Sequence, residues 1–377
     1  MQLPDEYDSI YHDLEPFWGL QPAELLKIRD ELESKIDSYT IGKNVDGHIA
    51  VVNYAFEEGR YDQLIHGSGA IIDILADIED YLPPFRAVLS PHDGPNRLSD
   101  YFVRAAALRA AHDGACKYFL NYATPRVLIL SLDVTKAELP EITRLGWRSA
   151  CPLASPARQK PFDLDNPPPR REKKTFIYEH LRSMDPCLHP NHFYHHGQFL
   201  SHNEGPSPQD TMVPEFSYCS TLIHHNIRIP NPYGWLEDIY PQSDDPAWDN
   251  KPDERLLWRG SSTGMFHDKR TRWQDSHRDF LVRYANDLSG TLNVLRPTSN
   301  KTEITGIPKE YRKSRLNPAI MDVAFAGRPI ACSPATCDLL RGIYPWRERQ
   351  SIKDAGNYKY VLDVSLNDFS YFSSALS

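Results

Sequence analysis

K-P-D-E-R-L-L-W-R-G-S-S-T-G-M-F-H-D-K-R-T-R-W-Q-D-S-H-R-D-F-L, running from Lys251 to Leu281, reads as a strand, a polar loop and a helix. Leu256, Leu257 and Trp258 form a short apolar run suited to a buried strand. Arg259 to Gly264 then brings hydroxyl and glycine residues with one fixed cation, and helical spacing resumes from Trp273 to Leu281. A strand feeding such a turn ahead of a helix is how α/β folds build anion sites. Small residues let backbone N–H groups approach a phosphate, and the helix dipole adds positive potential. Arg259 and Arg278 can supply fork-shaped, charge-assisted hydrogen bonds. The stretch has neither a P-loop nor a G-x-G-x-x-G pattern, so an ordinary strand-to-helix turn with surface arginines remains the competing reading.

Upstream, Ile227 to Asp249 is a crossing punctuated by prolines and aromatics, and the boundary between two domains is placed there. Before it, Arg126 to Leu132 (R-V-L-I-L-S-L), Ala87 to Leu89 and the I-A-V-V-N-Y run near His48 predict strands. Tyr101 to His112 and Ser68 to Leu82 predict helices, and Pro22 to Ser38 has helical spacing behind an acidic, aromatic opening. Gly146 to Lys174 reads as a polar, Pro-rich connection. Downstream, T-L-N-V-L from Thr291 predicts a strand, Lys309 to Arg315 a basic loop, and Ile320 to Ala326 and Y-K-Y-V-L-D-V from Tyr358 buried strands. Strands alternate with helices, which implies α/β layering with a parallel sheet.

Two further clusters carry chemistry-bearing residues. Ser90-Pro91-His92-Asp93-Gly94-Pro95 sets an acid just past a strand end, where open α/β sheets present ligand groups. Read alone, the Pro and Gly neighbours favour an Asp93 that serves its own turn. His189, His192, His195, His196 and His202 lie close together, but the segment has no H-E-x-x-H and its Pro-rich flanks oppose a helix. Partly exposed loop histidines are expected there, and no metal site.

The chain has 377 residues, enough for two cores. A net charge of −9 argues against a general nucleic-acid binder. Six cysteines without a C-x-x-C pair permit disulfides without demanding them. The sequence shows no signal peptide and no apolar run of spanning length.

Several motifs together resemble glycosyltransferase family 90, which includes the Rumi-type protein O-glucosyltransferases and the fungal capsule-associated xylosyltransferases. They are D-S-I-Y-H-D-L-E-P-F-W-G-L near the start, S-P-H-D-G-P at Ser90, C-P-x-x-S-P-A-R from Cys151 and S-M-D-P-C-x-H-P from Ser183. L-W-R-G-S-S-T-G from Leu257, H-R at His277, M-D-V-A-F-A-G from Met321 and Y-K-Y-V-L-D-V from Tyr358 complete the series. Their order and spacing cover nearly the whole chain, and the likeness is greatest to fungal members.

The resemblance implies a GT-B fold, with two Rossmann-like domains facing a cleft and the donor held mainly by the second. The expected layout is an arm over 1–45, an acceptor-side domain over 46–230 and a donor-binding domain over 231–377. The implied activity is inverting, metal-independent transfer of xylose or glucose from a UDP-sugar to a hydroxyl of a glycan or glycoprotein. Such a reaction needs a carboxylate base and groups that stabilise the departing diphosphate. By this resemblance Asp93 matches the base. Arg259, Gly260, Ser261 and Thr263 match the donor loop, Arg278 faces the diphosphate, and Asp322 and Gly327 lie near the nucleotide or sugar. The resemblance also implies an endoplasmic-reticulum or Golgi lumen, reached through an anchor this chain does not carry. In such a lumen the cysteines become disulfide partners, with Cys332 and Cys337 one candidate pair. After Val364 the family pattern D-G-N-x-x-S-x-R-F is expected, but the chain reads S-L-N-D-F-S-Y-F, with Phe372 in place of an arginine. An incomplete second domain is therefore expected. The rival reading is a catalytically inactive member that binds only a glycan or a partner.

Overall fold

The computed structural model describes residues 12–18, 26, 39–54, 61–90, 92, 94–112, 145–160, 162–167, 179–202, 205–209, 212–229, 245–295 and 306–364. The predicted strand at Arg126–Leu132, Asp93 and the segment from Ser365 onward lie outside these residues. The fold is α/β, with one mixed and one parallel sheet. The chain divides into two compact units, one drawn from 1–193, 202–236 and 367–377 and the other from 194–201 and 237–366.

The first unit holds strands β1 (Tyr39–Lys43), β2 (Ile49–Tyr54), β3 (Arg86–Leu89), β4 (Phe216–Ser217) and β5 (Ile227–Arg228), ordered β2-β1-β3-β4-β5. The first three are antiparallel and the last two join in parallel, so this sheet is mixed where a parallel one was expected. The antiparallel part comes from a hairpin at Asn44–Gly47. The Asn44 side chain accepts from the Asp46 and His48 N–H groups, and Gly47 takes φ 87°, a conformation that suits a residue without Cβ. Helix α1 (Tyr61–Ala76) starts earlier than predicted and packs Ile71 against Tyr39, Ile41, Ile49 and Leu89. Helix α2 (Tyr101–His112) buries Val103, Ala107 and Ala110 with Phe17 and Ile227, as its alanine spacing predicts. A disulfide joins Cys151 to Cys187.

The second unit contains β6 (Asp253–Gly260), β7 (Thr291–Val294), β8 (Lys309–Arg312), β9 (Met321–Ala326), β10 (Trp346–Arg347) and β11 (Tyr358–Val361). Its longer helices are α3 (His277–Asn286), α4 (Lys313–Ile320) and α5 (Pro334–Ile343). Four strands form a wholly parallel sheet in the order β10-β9-β6-β11. Numbered by appearance within the unit's sheet, this is third, second, first, fourth, which is compatible with a Rossmann-like arrangement. The predicted basic loop at Lys309–Arg315 is instead β8, paired with β7 in a two-stranded ribbon, followed by the start of α4.

Strand parity gives the sheet two unlike faces. On one, Trp258, Val323 and Phe325 pack with Val282 and Ala285 of α3 and Leu340 of α5. The other carries Arg255, Arg259 and Asp322, joined by Arg347 and Tyr358. The β11 strand was expected to be buried, but it lies at the sheet edge with Tyr360 and Val361 half exposed.

Candidate functional site

In a parallel sheet of this order, the chain reverses direction across the sheet between β6 and β11, and ligands bind outside the carboxyl ends of the strands at such a point. The loop after β6 is built to hold a fixed shape there. Ser262 Oγ donates to the Ile330 carbonyl and accepts from the Ile330 N–H, tying the loop to the one after β9. Ser261 Oγ and Thr263 Oγ1 are 2.8 Å apart, and Gly264 turns the chain at φ 97°. The carbonyl of Gly264 leaves no room for a Cβ on Gly197, so the 194–201 segment sits closely against the loop.

Helix α3 begins next. Ser276 is its N-cap, accepting from Asp279 N–H and donating to Asp279 Oδ2 at 2.5 Å, while His267 Nε2 lies 3.1 Å from the same oxygen. These groups are all buried, so the first turn of α3 is fixed. That turn carries Arg278, whose Nη1 donates to the carbonyl of Ser261 at 3.2 Å and to Thr263 Oγ1 at 3.3 Å. Its Nη2 donates to the carbonyl of Val364, beyond β11, at 2.7 Å. The guanidinium lies 5.9 Å from the Trp258 ring centroid. Burial pushes its pKa down to about 10, against the pull of Asp363 and Asp279, so it remains a cation at neutral pH. Arg278 Nε has no hydrogen-bond partner among the described residues, which leaves a buried donor unsatisfied. Beside it, His277 stacks on His196 with centroids 4.9 Å apart and planes 14° from parallel.

The residues picked from sequence thus fall into two groups. Ser261, Thr263 and Arg278 come together at the strand ends. Arg259 and Asp322 meet on the polar face of the sheet, where Arg259 Nη2 lies 2.5 Å from Asp322 Oδ1 and Nη1 donates to the Asp322 carbonyl. The same carboxylate takes Arg347 Nη1 at 2.7 Å and the Tyr358 hydroxyl at 2.6 Å. Burial acts to raise the Asp322 carboxyl, but Tyr358, Arg259 and Arg347 outweigh it and hold it below the ordinary carboxylate range. Arg259, matched to the donor loop by the resemblance, links β6 to β9 through these bonds. A Cβ on Gly260 would strike the Trp258 ring, and Gly327, at φ 75°, donates its N–H to the Arg347 carbonyl and starts the return from β9.

Arg347 was not singled out in the sequence, and Tyr358, His196 and His277 were named there only as parts of motifs, without these contacts. Parity on β6 was the available signal, since Arg255, Leu257 and Arg259 must share a face that Trp258 does not. The histidine-dense segment holds two single-turn helices, His192–His195 and Gly197–Leu200, with His196 buried rather than partly exposed. No group of three or more His, Cys, Asp or Glu able to hold a metal ion occurs among the described residues. Among the same residues no helix is long and apolar enough to cross a membrane. Cys332 and Cys337 form a disulfide at the start of α5. Comparisons with known protein families, curated proteins and solved structures return no match for this chain.

Proposed function

We propose that the chain is an inverting glycosyltransferase of GT-B type, moving xylose or glucose from a UDP-sugar to a hydroxyl on a glycan or glycoprotein. The observation that supports this reading most is Arg278, a buried cation at the strand ends flanking the β6/β11 reversal, in contact with a hydroxyl-lined loop at a helix start. A leaving diphosphate needs such a preorganised positive site. Ser261, Thr263 and Arg278 serve as the donor site, and Asp93 is the base that takes the acceptor's proton. Neither step calls on a metal, in keeping with the family resemblance.

The test is incubation of the full chain with labelled UDP-xylose or UDP-glucose and glycan acceptors, with and without EDTA. Transfer with inversion is expected in both conditions and is lost in Asp93→Asn. Undiminished transfer by that variant sinks the mechanism. One observation favours a second reading, a member that binds a glycan or partner without transferring sugar. Arg259 is engaged by Asp322, which leaves Arg278 to meet the diphosphate without it. Calorimetric titration with UDP separates the two, because the second reading predicts no UDP binding.

A further inference from the structure

The polar face of the parallel sheet borders a cavity of about 760 Å³. Its lining runs from Asp253 and Tyr358, the first residues of β6 and β11, to Arg259 near the end of β6 and Arg347 to Gln350 at and beyond the end of β10, and among the described residues it includes none of Ser261, Thr263 and Arg278. Among the described residues its lining includes three arginines and four carboxylates. Near balance of charge gives no net field to gather a phosphate or an amine, and the polar lining gives an apolar ligand little to bury against.

Two buried atoms narrow the ligand class further. Arg259 Nε, on a side chain only 6% exposed, is a donor with no partner among the described residues. Gln350 Oε1 is an acceptor in the same position. Both residues line the cavity. A phosphate only accepts and an ammonium only donates, so either would leave one of these atoms unsatisfied and meet groups of its own sign. A hydroxyl both donates and accepts, so a polyhydroxylated ligand can bond the carboxylates and the guanidiniums of this lining alike.

We propose that this cavity is a binding site for a neutral polyhydroxylated ligand, a sugar residue of a glycan, separate from the site at the strand ends. It does not rest on the transfer reaction. Saturation-transfer NMR on the full chain, with methyl β-D-xylopyranoside and methyl α-D-glucopyranoside as probes, tests it. Ring-proton signals are expected for at least one glycoside, unchanged by saturating UDP or by inorganic phosphate. The Kd from titration should rise at least fivefold in Gln350→Leu, which removes the acceptor at similar size. It should rise likewise in Arg349→Ala, on an exposed part of the lining where loss of fold is not at issue. No signal from either glycoside, displacement by UDP or by phosphate, or an unchanged Kd in both variants overturns the proposal.

Discussion

Arg278 Nη2 donates to the main-chain carbonyl of Val364 at 2.7 Å, while Nη1 of the same guanidinium reaches the carbonyl of Ser261 at 3.2 Å. Ser261 follows β6 and Val364 follows β11, so one side chain spans the two strand ends where the sheet order reverses. The planar fork does this from two separate nitrogens, whereas an ammonium must direct all its donors from one. Arg278 therefore shapes the site as well as charging it.

Arg278→Lys should keep the positive charge but release one of the two strand ends. Losing a charge-assisted hydrogen bond is worth about 1.5–3 kcal/mol, so the Kd for UDP should rise by roughly tenfold or more. Arg278→Gln also removes the charge, and turnover of a UDP-sugar should fall by about 100-fold, the usual effect of deleting one oxyanion donor. Calorimetry and a transfer assay read these separately. Equal UDP affinity in Arg278→Lys and the parent would show that the fork has no part in the site.

Asp322 neutralises arginines on the polar face, and its side chain is 4% exposed. Asp322→Asn leaves the buried Arg259 without its counter-charge and should destabilise the protein by about 3 kcal/mol in urea unfolding. Tyr358→Phe deletes one hydrogen bond to the same carboxylate and should cost about 1 kcal/mol. The double change Asp322→Leu with Arg259→Met removes both buried charges together and should cost less than Asp322→Asn alone. A double variant weaker than the single one would refute the view that uncompensated charge is the cost.

Much of the second unit was legible because its strands bury one face or both. Leu256-Leu257-Trp258 and Met321 to Ala326 announce themselves as apolar runs, and in the first unit the alanine helix at Tyr101–His112 does so by its spacing. Lys309–Arg312 did not, because a two-stranded ribbon has no core face to impose a period. Tyr39–Lys43 was missed because it is five residues long and offers only Tyr39 and Ile41 as an apolar alternation, too short a run to announce a strand. The polar cluster was unreadable on other grounds. Arg259, Asp322, Arg347 and Tyr358 are far apart in sequence and meet only through parallel crossovers whose register no local pattern specifies.

Gly260 matches the donor loop by the family resemblance, and an added Cβ would lie 2.5 Å from Cζ2 of Trp258, a ring buried in the core. Gly260→Ala must therefore move that ring, and an overpacking cost of about 1–3 kcal/mol should appear with no ligand present. Thermal unfolding of the ligand-free variant measures this. An unchanged Tm, with loss of UDP binding alone, would instead give the glycine a role in ligand approach.

Buried histidines in the first unit set its response to acid. His224 is 3% exposed, and burial pushes its pKa down to about 3, with Arg104 and His202 acting in the same direction. His225, equally buried, is pushed well below its ordinary value for the same reason, and its Nε2 accepts from the Val213 N–H, a bond that requires an unprotonated nitrogen. Below the ordinary histidine pKa of 6.5 the unfolded chain gains protons that the folded one refuses. Stability therefore falls as pH drops, by about 1.4 kcal/mol per pH unit for each histidine, and these two contribute no slope at higher pH. Urea unfolding between about pH 6 and 4.5, an interval above the usual carboxylate range, should show this loss. His224→Gln should reduce the slope by about one proton, and His225→Gln likewise, because glutamine can still accept from Val213 without titrating. A slope that both variants leave intact would mean that the acid sensitivity originates elsewhere in the chain.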